Sequence, residues 1–128
     1  MGEYKNIVFA TDFSEHSARA FEEAKYMAGI TGGKLHVITV THAQPAEGEA
    51  ETSGGLLGER YPAEGAEYRV LHGNEAKEII SFADGMPGSL IVIGSRGIGV
   101  ITGLFGGGSI CDKVVGNANC PVLVVPAP

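Results

Sequence analysis

Five short apolar runs, each separated from the next by a segment of different character, constrain this chain more than any other feature. They are Tyr4–Ala10 (YKNIVFA), Lys34–Val40 (KLHVITV), Tyr68–Leu71 (YRVL), Leu90–Ile93 (LIVI) and Pro121–Val125 (PVLVV). Each has the length of a single strand, and β-branched residues are frequent in them. The run LIVI shows no polar alternation, which suits a strand covered on both faces. Helical patterns lie between the runs. Ala20, Phe21, Ala24, Met27 and Ala28 fall on one face of a helix, which Gly32-Gly33 ends. Asp12 and Ser14 precede it as expected turn and N-cap residues. Asn74 is expected to cap a further helix with Ile79, Ile80 and Phe82 on its buried face, and Ser109–Val115 reads as a last helix.

Strand and helix therefore alternate, which predicts an α/β domain with a doubly wound parallel sheet and right-handed crossovers. The polar stretch Thr41–Gly65, with Pro45, Pro62 and several glycines, breaks the rhythm. It reads as a long loop holding at most a short helix near Leu56–Arg60. At 128 residues the chain is sized for one domain, 1–128, and it carries no internal repeat.

The charge balance narrows the partners. A formal net charge of −6 repels nucleic acid and anionic lipid, so neither is expected as a partner. It does not exclude a nucleotide, because backbone N–H groups can hold phosphates without Lys or Arg. No apolar run reaches the roughly 20 residues of a membrane span. The first residues, MGEYKNIVFATDF, show no apolar stretch after a basic start, so no signal peptide is expected and the cytoplasm is the expected address. Two cysteines, Cys111 and Cys120, are too few for a disulfide framework and lack metal-site spacing. His16, His36, His42 and His72 likewise show no zinc-ligand spacing.

Ligands of such sheets bind beyond the carboxyl ends of the strands, where the strand order reverses. The segments to inspect are Ala10–Ser14, Val40–Ala43, His72–Asn74 and Gly94–Ser109. The last is part of IVIGSRGIGVITGLFGGGSICDKVV, glycine-rich and placed directly after a buried run. Glycines there allow close backbone approach to a ligand. Gly108-Ser109 opens a helix whose free N–H groups favour a phosphate. Turn geometry alone is the plainer reading of such glycines. A Walker-type loop is excluded because no GK[ST] occurs, and Gly97-x-Gly99-x-x-x-Gly103 lacks the acidic partner of a dinucleotide fingerprint. Asp12 is either a helix-start residue or a ligand to ribose or to a phosphate-bound metal. Arg96 is either solvated or a bidentate phosphate partner. Cys111 stands at a helix start, where a thiolate is favoured, but no base accompanies it and an inert packed cysteine is expected.

The combination of a strand ending in ATDFSE, a GSRG turn, a downstream GS opening a helix and a closing NCPVLVV resembles the universal stress protein family over nearly the whole chain. That resemblance implies a single Rossmann-like domain with five parallel strands in the order 3-2-1-4-5. It also implies a homodimer formed through the last strand, here Val122–Val125, an apolar strand at a sheet edge. The family's nucleotide-binding branch carries G-x2-G-x9-G-[S/T] and binds ATP or AMP. Carried over by position, Ala10, Thr11 and Asp12 form the first ligand loop and Val40 flanks adenine. Ile93, Gly94 and Gly97 begin the glycine motif, and Gly108, Ser109 and Ile110 end it. Ten residues (98 to 107) separate Gly97 from Gly108, where the family pattern has nine. The family also has a long helix between its second and third strands, so one sheet face near Val40 is expected to be less covered here.

The function these features imply is adenine nucleotide binding, with or without Mg²⁺, by a regulatory or stress-response protein. Efficient phosphoryl transfer needs a placed metal, a positioned nucleophile and cationic stabilisation. Asp12 and Arg96 alone answer to those roles, so hydrolysis is expected to be slow at most. Two other readings stay open: a dimeric interaction module that binds no nucleotide, and an ATP-using enzyme that activates a substrate.

Overall fold

The computed structural model describes residues 3–41, 48–95 and 110–127. Its strands are β1 (Asn6–Ala10), β2 (Lys34–Thr41), β3 (Glu67–His72), β4 (Ser89–Ser95) and β5 (Val122–Pro126). Its helices are α1 (Ala18–Thr31), α2 (Glu49–Arg60), α3 (Glu75–Asp84) and α4 (Ile110–Asn117), with a 3₁₀ turn at Glu15–Ser17 before α1. The five strands form one parallel sheet in the order β3-β2-β1-β4-β5, as the sequence pattern and the family resemblance implied.

The alternation of side chains along β1 divides the interior into two cores. Ile7 and Phe9 point to one face, where they meet Phe21 and Ala24 of α1, Leu57 of α2 and Tyr61 just beyond it. Val8 and Ala10 point to the other, against Ala76, Ile79 and Ala83 of α3 and Cys111 and Val114 of α4. Leu35 and Val37 of β2, with Leu90 and Val92 of β4, follow the first face, while Ile38, Ile91 and Ile93 follow the second. Period-two geometry thus explains why LIVI must be apolar throughout: each residue faces a covered side.

Helix boundaries follow local chemistry where the sequence offers it. Gly32 adopts φ 74°, the left-handed conformation that glycine takes without a Cβ clash, and its N–H closes α1 on the Ala28 carbonyl at 2.9 Å. Asn74 Oδ1 accepts the Lys77 N–H at 3.0 Å and caps α3 as expected. Ser14 stands at the N-cap position of the 3₁₀ turn as expected. Its side chain, however, makes no cap hydrogen bond, and Asp12 Oδ1 accepts the Ser14 N–H at 2.9 Å in a local Asx turn.

The largest departure is α2. The stretch expected to be a long loop, with at most a short helix near Leu56–Arg60, carries a helix of 12 residues, Glu49–Arg60. Its sequence, EAETSGGLLGER, contains three glycines and little apolar periodicity, so propensity does not announce it. Tertiary contacts hold it instead. Leu57 is fully buried, and Tyr61 is buried against Phe9 and Phe21 with ring centroids 5.1 Å away in each case. The Tyr68 hydroxyl of β3 donates to the Tyr61 carbonyl at 2.7 Å. The less covered sheet face expected near Val40 is therefore corrected: α2 packs on β2 and β3, and Val40 turns to the α3 side.

His36 is a buried polar residue within β2. Its Nε2 lies 2.9 Å from Asn6 Oδ1, its Nδ1 lies 3.8 Å from Glu67 Oε1, and its ring meets the edge of Phe82. Burial lowers its pKa below 6.5; Glu67 opposes that shift, while Lys34 and Arg69 add to it. A folded pKa below the unfolded one means that the fold favours neutral His36. Stability from this group is complete above about pH 6.5 and is lost as the pH falls below that value. Urea denaturation of the wild type and a His36→Gln variant is expected to show the wild type losing stability relative to the variant between pH 7.5 and 5. A pH-independent difference would contradict this.

Candidate functional site

The register of the sheet gathers several of the sequence-predicted residues at one end. Ala10, the last residue of β1, pairs with Ile38 of β2 on one side and Ile93 of β4 on the other. One step further along lie Thr11 and Gly94, and beyond Ile38 lies Val40. Strands of a sheet stand about 4.8 Å apart, so these positions share one narrow front. The front sits where the chain leaves β1 toward α1 on one face and β4 toward α4 on the other, the switch point at which such sheets bind ligands. Arg96, Gly97, Gly108 and Ser109 lie outside the described residues. Ile110 opens the described part of α4 and is partly buried against the α3–α4 core.

Within this front, side chains and backbone have separate duties. Ala10 and Ile93 are buried and point into the α3–α4 core, and Val40 packs partly against it. Thr11 is also buried and fully engaged. Its N–H donates to the Ile38 carbonyl at 3.0 Å, and its carbonyl accepts the Thr39 hydroxyl at 2.7 Å. Its own hydroxyl lies 2.7 Å from the Tyr61 hydroxyl and accepts the Phe13 N–H at 2.9 Å. Asp12 is exposed at the tip of the turn, with Oδ1 receiving the Ser14 N–H and, at 3.5 Å, the Ser17 hydroxyl. Of the first-loop residues, Asp12 thus presents a charged group outward while Thr11 serves the framework.

Phe13 completes the turn at φ 67°, a left-handed conformation that costs a residue with a Cβ about 1–2 kcal/mol. Its surroundings offset this. The Arg60 Nη2 donates to the Phe13 carbonyl at 2.9 Å, and the Phe13 ring stacks on Tyr61 with centroids 6.3 Å apart. The Arg60 guanidinium lies 6.0 Å from the Phe13 ring centre and 5.8 Å from that of Tyr61, within cation–π range. Sequence reasoning missed Thr39, Arg60 and Tyr61. Arg60 fell at the end of the short helix expected near Leu56–Arg60 and Tyr61 in the loop beyond it, and no local signal ties them to a turn about 50 residues earlier.

Gly94 has a structural cause of its own. A Cβ placed on it would stand 2.8 Å from the His16 carbonyl oxygen in the 3₁₀ turn. Close passage of that turn across β4 therefore requires glycine here, whatever ligand the adjoining segment meets. Cys111, at the start of α4, is buried, and its thiol pKa is raised first by burial and then by Asp112. That environment keeps the thiol protonated and suits the packed, unreactive cysteine expected. A cleft of ≈ 570 Å³ lies at the opposite end of the sheet, lined by Glu3, Tyr4, Asp84 and Cys120 among others. None of its lining residues is a Lys or Arg that would answer a phosphate.

The Gly94→Ala substitution is expected to destabilise the fold by about 1–3 kcal/mol, the usual range for overpacking. Chemical denaturation checks this, and an unchanged midpoint would show that the 3₁₀ turn does not press on β4.

With this geometry in hand, likeness to known proteins carries weight. The model of the universal stress protein family matches residues 3–126. A universal stress protein of Methanocaldococcus jannaschii is 34% identical over an alignment covering 98% of this chain and 84% of that protein. A crystal structure of a universal stress protein in complex with cAMP superposes with a TM-score of 0.80 at 27% identity, covering 98% of this chain and 99% of the other. A universal stress protein of Archaeoglobus fulgidus in complex with dAMP gives a TM-score of 0.68 at 27% identity, covering 96% and 98%.

Proposed function

The chain belongs to the universal stress protein family, and from that premise we propose that it binds an adenine nucleotide at the carboxyl ends of β1, β2 and β4. One observation carries the reading: Ala10–Asp12, Val40 and Ile93–Gly94 converge at the switch point of the sheet. Support comes from two relatives of the same fold whose structures contain cAMP and dAMP. Adenine would rest against Val40 and the end of β1, with Asp12 receiving ribose hydroxyls. Phosphates would meet Gly94 and Gly97 through their backbone, Gly108, Ser109 and Ile110 at the head of α4, and Arg96 by charge. ATP or AMP is the ligand proposed. Asp12 is a carboxylate suited to a phosphate-bound Mg²⁺, but among the described residues no three metal-ligating side chains are gathered. The ion is therefore proposed only as a companion of a polyphosphate.

The biological role proposed is that of a cytoplasmic regulatory or stress-response binder, with slow ATP hydrolysis at most. An ATP-dependent activating enzyme, the other reading left open by the sequence, is not proposed. The reading as an interaction module without nucleotide rests on the ten residues between Gly97 and Gly108. Its dimer interface would be β5, the sheet edge, where Val124 is an exposed apolar residue. That interface is proposed under either reading.

Thermal unfolding with and without Mg-ATP or AMP tests the nucleotide. A ligand that binds only the folded state adds about 2.7 kcal/mol when present at a hundredfold excess over its Kd. A clear upward shift, abolished in Gly108→Val, is expected; no shift at millimolar nucleotide would transfer the weight to the interaction module. For the interface, sedimentation of Val124→Glu is expected to give monomer where the wild type gives dimer. A monomeric wild type at micromolar concentration would overturn the interface.

A further inference from the structure

We propose that Tyr61 and Arg60, at the end of α2, are positioning residues for the nucleotide, clamping the turn on both sides of Asp12. The inference rests on the nucleotide-binding reading above and adds to it two side-chain contacts from the end of α2. The Tyr61 hydroxyl holds the Thr11 side chain at 2.7 Å, and Arg60 holds the Phe13 carbonyl at 2.9 Å. Asp12 stands between these two anchored neighbours. Its backbone is fixed before any ligand arrives, so ordering this turn costs little on binding.

The Tyr61 hydroxyl has no part in filling the core. Its ring packs against Phe9 and Phe21, and a phenylalanine would occupy the same space. What the hydroxyl adds is the reach to Thr11, whose oxygen also accepts the Phe13 N–H. The clamp is itself tied to the edge strand on the same face of the sheet. Tyr68 of β3 donates to the Tyr61 carbonyl, and the Tyr61 N–H closes α2 on the Leu57 carbonyl at 2.9 Å. These bonds hold the end of α2 itself, whereas the contacts that reach the Asp12 turn come from the Tyr61 hydroxyl and Arg60.

The test compares Tyr61→Phe, Arg60→Gln and Tyr68→Phe. The last removes a hydroxyl from the same helix end but touches no residue of the turn. Two quantities are read: amide hydrogen exchange at Phe13 and Ser14, and affinity for AMP by calorimetry. Tyr61→Phe and Arg60→Gln are expected to speed exchange at those amides and weaken AMP binding about fivefold, the effect of one net hydrogen bond. Tyr68→Phe is expected to change AMP affinity less than about twofold by the same yardstick. If Tyr68→Phe weakens AMP as much as Tyr61→Phe, the role is general stability and the positioning proposal falls. If wild type binds AMP and neither Tyr61→Phe nor Arg60→Gln alters affinity or exchange, the clamp alone is overturned. If wild type binds no AMP or ATP, the functional reading fails, and the positioning role falls with it whatever the exchange shows.

Discussion

Everything in this molecule depends on β1 being buried from both sides. Ile7, Val8 and Phe9 are wholly inaccessible and Ala10 nearly so, with β2 and β4 hydrogen-bonded on either flank. Burying one Ile, Val or Phe side chain contributes about 1.5–3 kcal/mol, so truncating any of them is a large change against a marginal net stability. Double coverage forces α1 and α2 onto one face and α3 and α4 onto the other. Chain entering and leaving the central strands must then diverge at their carboxyl ends. The front of Ala10, Thr11, Gly94 and Val40 is a by-product of that divergence, and the fold provides a place for a ligand before any residue is chosen to bind one.

The front is shaped mainly by framework contacts. Thr11 spends its hydroxyl and both backbone groups on β2 and α2. Gly94 makes room for the His16 carbonyl. Phe13 sits in an unfavourable backbone region because Arg60, Tyr61 and Thr11 all hold it there. Strained turns of this kind persist where the surroundings over-determine them, and they concentrate at functional sites. Asp12 stands exposed in the middle of this turn, with Oδ1 accepting from Ser14 and Ser17.

Much of this was legible in the sequence, for identifiable reasons. LIVI and NIVFA announced themselves because burial on two faces removes polar alternation. Gly32 and Asn74 marked helix ends because their chemistry is local. The family resemblance supplied the strand order and the positions of the front. α2 stayed hidden because Gly54, Gly55 and Gly58 speak against a helix, and Phe9 and Phe21, against which its end packs, lie far away in sequence. Ser14 stands at the N-cap position of the 3₁₀ turn as expected, but it is its carbonyl and not its side chain that accepts the Ser17 N–H. For Gly94, the sequence shows that a glycine is present but cannot say whether a ligand or the 3₁₀ turn demands it.

The proposed site puts an adenine nucleotide at the carboxyl ends of β1, β2 and β4. Amide chemical-shift mapping during an AMP titration tests it most directly, because it reports place as well as binding. Saturable shifts are expected at Ala10–Asp12, Val40, Gly94 and Ile110, with Tyr4, Asp84 and Cys120 at the opposite end unmoved. Shifts confined to that opposite end, or none at millimolar AMP, would contradict it.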